Sequence, residues 1–193
     1  MNGLDNQNME STKEKRDRLL QIIKAGAYFR EKIILSSGKE SDYYIDARLI
    51  TLTAEGASLC AALMLEAVND LKYDAIGGPT LGADPLIGAI NVLSFQAGKP
   101  LNTFIIRQQA KAHGKGKMVE GPPLKSGAQV VIIDDVATTG KAFVHSIDVL
   151  TQMNIKVLKA LCIVDRGEGA KEAVAQKGCE LLSFFKATEI HTG

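Results

Sequence analysis

At 193 residues the chain has the size of one domain with a single well-buried core, and a composition of 46% hydrophobic and 23% charged residues is that of a globular protein. A net charge of +1 excludes a global field that would draw nucleic acid or a membrane surface. Cys60, Cys162 and Cys179 are odd in number, stand outside any CxxC and form no metal-ligand spacing with His113, His145 or His191, which argues for buried free thiols in a reducing compartment.

The first residues are polar without a signal-peptide core, and no apolar run approaches the length of a membrane span, so a cytoplasmic location is expected. Residues 1–10 are expected to be disordered. Ser11-Thr12-Lys13-Glu14 has the S-x-x-E form of a capping box and predicts a helix over 12–25, ended by Gly26. Tyr28-Phe29 and Ile33-Ile34-Leu35 read as a strand and residues 36–39 as a turn. Residues 42–46 read as a second strand, pairing with the first as a hairpin. Leu59, Leu63, Ala67 and Leu71 recur at helical spacing after a Thr53 cap, giving a helix over 54–72.

From there strand and helix alternate. Strands are predicted at 74–77, 102–106, 128–134, 156–164 and 180–185, helices at 81–97, 140–153 and 170–177, and a long Gly- and Lys-rich loop at 107–125. Such alternation implies right-handed βαβ units and a mostly parallel sheet with helices on both faces, whose ligands bind at the C-terminal strand ends. The expectation is one α/β domain over 1–193, with an N-terminal helix-and-hairpin subdomain at about 11–50 and an α/β core at about 54–185.

The run VVIIDDVATTGKA, residues 130–142, carries the strongest chemical signal. A buried parallel strand ends in Asp134 and Asp135, small and hydroxyl residues follow, and a helix opens. Free N–H groups at a helix start, together with the positive end of its dipole, bind anions. Two carboxylates beside them can hold sugar hydroxyls, so the segment fits a ligand with both a phosphate and a ribose. Two simpler readings are a polar strand end and a magnesium site. A Walker A loop fails because Asp135 stands where its first glycine belongs and Ala142 where Ser or Thr would hold magnesium. The loop from Arg107 to Lys117 carries four basic side chains and His113 with no acid before Glu120. Gly114 and Gly116 give it freedom to move, so it reads as a cationic lid rather than a plain solvated loop. The glycine-rich turn at 77–84 lets backbone N–H groups approach phosphates, and Arg166 in Asp165-Arg166-Gly167 can grip a carboxylate or make a surface ion pair.

Taken together these residues resemble the type I phosphoribosyltransferases, and within that family the orotate enzymes. VVIIDDVATTGKA is similar to the family's phosphoribosyl diphosphate (PRPP) signature, RQQAKAHGKGKMVEG at 107–121 to the catalytic loop of the orotate enzymes, and GAYFREKIILSSGKESDYYIDAR at 26–48 to their N-terminal hood. The resemblance implies the type I phosphoribosyltransferase fold and Mg²⁺-dependent transfer of ribose 5-phosphate from PRPP to orotate, in the synthesis of UMP. It implies that Asp134 and Asp135 hold the ribose hydroxyls, and that Val136, Ala137, Thr138, Thr139, Gly140, Lys141 and Ala142 cradle the 5′-phosphate. Thr80, Leu81, Gly82 and Ala83 would meet the diphosphate, with Arg107, Lys111 and His113 as its catalytic cations. Arg166, Thr138, Tyr43 and Tyr44 would contact orotate. Mg²⁺ would be held mainly through PRPP, with no dedicated protein ligands. A homodimer is implied, with the 107–121 lid reaching the neighbouring site.

Three positions depart from the family pattern. Ser36 stands in the hood turn and Thr80-Leu81-Gly82-Ala83 in the diphosphate loop where many bacterial orotate enzymes have Lys, and Gln108 stands where a second basic residue often follows the Arg. Lys39, Lys115 and Lys117 are the candidates to compensate. Two alternatives stay open: a phosphoribosyltransferase for another base, and a PRPP-sensing regulator. The regulator would need a basic surface or a helix-turn-helix, against which the charge and the single helix before the hood both argue. His145 and His191 read as surface or helix-packing residues.

Overall fold

Ser11 starts the first helix with both halves of the expected capping box: its hydroxyl accepts from Glu14 N at 3.2 Å, and its own N–H donates to Glu14 Oε2 at 2.7 Å. The computed structural model describes residues 11–34, 40–109 and 117–191. The readings made for 1–10, Leu35, Ser36, Lys39, Lys111, His113, Gly114, Lys115 and Gly116 lie outside the described residues. Helix α1 (Thr12–Gly26) buries Leu19 and Ile23. Gly26 does not terminate it. Gly26 is still helical, and Ala27 is the cap, with its N–H on Ile23 O at 2.9 Å.

The predicted hairpin forms as two short ladders. Strand β1 (Tyr28–Phe29) pairs antiparallel with β4 (Tyr44–Ile45), and β2 (Ile33–Ile34) with β3 (Glu40–Ser41). Residues 30–32 on one side face only 42–43 on the other, so the register slips by one residue and the ladder breaks there. A short helix α2 (Arg48–Thr51), not predicted, leads to α3 (Ala54–Ala67), capped by Thr53 Oγ1 accepting from Gly56 N at 3.1 Å. Helix α3 stops five residues before the predicted end, where Asn69 and Asp70 favour turns over helix.

The core then runs β5 (Ala75–Pro79), α4 (Asp84–Gln96), β6 (Asn102–Ile106), β7 (Val119–Glu120), β8 (Gln129–Ala137), α5 (Lys141–Gln152), β9 (Lys156–Asp165), α6 (Ala170–Ala175), β10 (Leu181–Lys186) and α7 (Ala187–His191). The main sheet has the order β10-β9-β8-β5-β6-β7. All its pairings are parallel except that of the edge strand β7, which forms within the stretch whose composition predicts a loop. Strand β8 shows why its sequence is apolar without alternation. Val131 and Ile133 pack with Leu63, Met64 and Ile90 on one face, whereas Val130 and Ile132 pack with Phe143 and Leu150 on the other. Cys60, Cys162 and Cys179 are buried free thiols, as expected. Among the described residues no helix is long and apolar enough to cross a membrane.

The strand order reverses direction between β5 and β8: β6 and β7 lie to one side, β9 and β10 to the other. Such a reversal opens a crevice at the C-terminal strand ends. Strand β8 pairs with β5 only as far as Gly77↔Ile132, yet stays paired with β9 to Ala137↔Asp165. Asp134 and Asp135 therefore belong to the strand, three and two residues short of its end, rather than marking its tip.

Candidate active site

Asp134 and Asp135 sit where β8 has left β5 behind. Asp134 is 7% exposed and accepts from Asp135 N at 2.9 Å through Oδ1, while Asp135 Oδ1 accepts from Val136 N at 2.6 Å. Burial, then the charge of Asp135, pushes the Asp134 carboxyl well above the usual carboxylate range. Burial also raises Asp135, opposed by the Val136 N–H and by the nearby Arg48 guanidinium. Arg48 is itself held by Asp46 through Nε–Oδ1 at 2.9 Å and Nη2–Oδ2 at 3.0 Å. Neighbouring carboxyl groups of this kind can accept from, or donate to, vicinal hydroxyls of a sugar.

The turn between β5 and α4 lies directly on this pair. A Cβ built on Gly82 would stand 2.3 Å from Asp134 Oδ1 and 2.4 Å from Asp135 Oδ1, so only glycine fits. The Thr80–Leu81 peptide is cis. Thr80 N donates to Ile106 O at 2.9 Å and Thr80 Oγ1 to Asp84 Oδ2 at 2.8 Å, while the buried Asp84 Oδ1 has no partner among the described residues. Leu81, at one of the positions where a cation was missed, is 61% exposed.

Beyond β8, residues 138–140 turn into α5. Gly140 takes φ +78°, and a Cβ there would stand 3.0 Å from Ala170 Cα, so both conformation and space require glycine. Among the described residues no side chain caps α5, which leaves the N–H groups of its first turn available to an anion. Residues 136–143 line a cavity of about 460 Å³ together with Pro79, Asp134, Gln108 and His145.

Arg166 joins the other side of the crevice to the hood. Its N–H donates to Ala137 O at 2.9 Å, and its side chain is only 4% exposed. Nε donates to Glu168 Oε1 at 2.9 Å, Nη2 to Ser41 Oγ at 3.1 Å, and the guanidinium lies 4.7 Å from the Tyr43 ring centroid. Tyr43 in turn stacks on Tyr28 at 5.8 Å. Tyr44 does not join this group. It stacks on Phe29 at 6.5 Å, and its side chain bonds with the Asp46–Arg48 pair.

Arg107 leaves β6 with its N–H on Met118 O at 2.8 Å and its guanidinium 3.7 Å from Glu120 Oε1. The structure thus brings together Asp134, Asp135, residues 80–82, residues 136–142 and Gln108, and sets Arg166 with Tyr43 beside them. Sequence reading missed Ser41, Glu168 and the Asp46–Arg48 pair, and it gave no partner to His145 or His191. His145 Nε2 lies 3.1 Å from Arg107 O. His191 Nδ1 bonds to Tyr28 OH, and its ring lies 5.7 Å from that of Tyr43.

The chain is similar to known proteins in sequence and in fold. A family model described as a phosphoribosyl transferase domain matches residues 51–188. Orotate phosphoribosyltransferase of Corynebacterium glutamicum (strain R) is 38% identical over 177 residues, covering 92% of this chain and 94% of the relative. Among solved structures, orotate phosphoribosyltransferase of Aeropyrum pernix superposes with a TM-score of 0.74 at 38% identity, over 89% of this chain and 95% of that one. The Mycobacterium tuberculosis H37Rv enzyme in complex with PRPP superposes with a TM-score of 0.75 at 29% identity, over 92% and 99%.

Proposed function

The chain belongs to the phosphoribosyl transferase family, and on that premise we propose that it is an orotate phosphoribosyltransferase, moving the ribose 5-phosphate unit of PRPP onto N1 of orotate in UMP biosynthesis. The observation that carries this reading is the juxtaposition at one crevice of the Asp134–Asp135 pair, the Gly82 turn and the uncapped start of α5, with Arg166 under Tyr43 alongside.

Each part has a distinct task. The 5′-phosphate lies on the N–H groups and hydroxyls of 137–142, at the positive end of α5. Asp134 and Asp135 take the ribose hydroxyls. Thr80, Leu81 and Gly82 bring backbone N–H groups toward the diphosphate. Arg166, fixed on two edges by Glu168 and Ser41 and on one face by Tyr43, presents its remaining donors to orotate. Breaking the C1–O bond leaves positive charge on the ribose and negative charge on the diphosphate. Arg107, with Lys111 and His113, stabilises that negative charge, and closure of the lid excludes water that would hydrolyse PRPP. N1 of orotate supplies the electron pair for the new C1–N1 bond, and its own N–H proton leaves to water or to the departing diphosphate.

Asp134 and Asp135 place hard oxygen donors side by side at the crevice, compatible with Mg²⁺ held mainly by substrate oxygens and waters. When bound, Mg²⁺ supplies further positive charge to the leaving diphosphate. A homodimer belongs to the same reading. Val92 and Phe95, 57% and 75% exposed on α4, give the helix that leaves the diphosphate turn an uncovered apolar face, which supports a second copy there. A cytoplasmic location and independence from nucleic acid are likewise part of it.

The test is a spectrophotometric assay of the purified protein with Mg²⁺, PRPP and orotate. The expected result is loss of orotate absorbance that requires both PRPP and Mg²⁺. No loss with orotate, but turnover with a purine base, would overturn the choice of acceptor.

A further inference from the structure

We propose that His145 is a positioning residue that anchors the main chain of Arg107 to helix α5. The inference rests on the reading of Arg107 as a diphosphate ligand. His145 Nε2 and Arg107 O are 3.1 Å apart, although 38 residues separate them in sequence. A carbonyl oxygen only accepts, so Nε2 carries the proton and donates. Arg107 N already donates to Met118 O at 2.8 Å, so the peptide groups on both sides of its Cα are tied. Its guanidinium is held less closely, 3.7 Å from Glu120 Oε1 and 3.4 Å from Gln109 O through Nε. A fixed backbone carrying a loosely held cation suits a side chain that must be aimed at an anion yet remain free to engage it.

The anchor point is as informative as the bond. His145 stands five residues after Gly140, about 7.5 Å along the same helix that starts at the phosphate turn. Both His145 and Gln108 line the cavity that residues 136–143 form, and Gln108 Nε2 reaches Thr80 O at 3.5 Å. The strand end that carries Arg107 is thus referenced to the 5′-phosphate site through His145 and to the diphosphate turn through Gln108. His145 is not needed for the core, which on this helix is filled by Phe143, Ile147 and Leu150.

The experiment is calorimetric titration of the full chain with magnesium diphosphate and, separately, with ribose 5-phosphate. It compares the parent with Arg107→Ala, His145→Ala, His145→Leu and His145→Gln, with thermal melts as a check of folding. Arg107→Ala, His145→Ala and His145→Leu should each weaken diphosphate binding about tenfold, the scale of one lost hydrogen bond or contact. Ribose 5-phosphate affinity should fall several-fold less than diphosphate affinity. His145→Gln, whose amide N–H reaches about as far as Nε2, should restore most of the loss, which a purely structural role would not predict. Should His145→Ala fail to fold, the Leu and Gln variants carry the comparison alone. Parental diphosphate affinity in His145→Leu, or equal loss in Leu and Gln, overturns the proposal. Parental affinity in Arg107→Ala overturns the reading on which it rests.

Discussion

Gly82→Ala should separate catalysis from folding with a single methyl group. The added Cβ would stand 2.3 Å from Asp134 Oδ1 and 2.4 Å from Asp135 Oδ1, whereas ordinary van der Waals contact begins at 3.4 Å. The turn at residues 80–83 and the two carboxylates must therefore part by about 1 Å. Neither carboxylate can swing aside cheaply, because Asp134 accepts from Asp135 N and Asp135 from Val136 N. The turn is tied as well, through Thr80 N on Ile106 O. A misplacement of about 1 Å in a reacting pair costs about 10²-fold in rate. Initial rates of orotate consumption at varied PRPP should show kcat/KM for PRPP falling by about that factor. The clash lies at the crevice rather than in the core, so the melting temperature should drop by no more than about 4 °C. A kcat/KM within twofold of the parent would refute the contact between the turn and the carboxylates as a determinant of rate.

Other substitutions probe the remaining parts of the site. The raised Asp134 carboxyl stays protonated in the folded chain at pH values where the unfolded chain, near 3.8, has ionised, so its contribution to stability falls as pH rises above 3.8. Asp134→Asn should therefore melt above the parent near pH 7, with the gain shrinking toward pH 4, while kcat/KM falls about tenfold or more; a lower melting temperature at pH 7 contradicts the burial argument. Arg166→Lys loses the fork that Glu168 and Ser41 hold, and should raise KM for orotate about tenfold with KM for PRPP unchanged; an unchanged orotate KM would leave Arg166 as a hood tether only. Lys111→Ala should lower kcat by about 10²-fold, and a kcat within twofold removes Lys111 from the mechanism. Mixing Lys111→Ala with Asp134→Asn should raise activity above either alone if the lid serves the neighbouring site, and no rise places it in its own.

Much of the fold was legible because its signals are local. The 130–133 run is apolar on both faces, and the strand is covered on both faces by α1, α3 and α4 on one side and α5 and α6 on the other. Ser11 and Thr53 marked helix starts through hydrogen bonds made within three residues. What escaped depends on partners far along the chain. Val136 and Ala137 look like loop residues, and only pairing with β9 makes them strand. The two-residue strand β7 exists because β6 offers it an edge. The hood's one-residue slip separates two plausible pairings that sequence alone does not distinguish. In the site, the acidic and glycine motifs marked residues that the fold gathers at one crevice. Arg166 could be read as a carboxylate ligand, but not that Ser41, 125 residues earlier, would help to hold it. His145 and His191 carried no local signal, since their partners lie 38 and 163 residues away.

The central claim is tested most directly by ³¹P NMR of PRPP incubated with the protein and Mg²⁺. The prediction is that diphosphate and orotidine 5′-monophosphate appear together, in equal amounts, when orotate is added, and that neither appears with uracil or hypoxanthine in its place. Diphosphate released at the same rate without orotate, or a nucleotide formed from hypoxanthine instead, would contradict it.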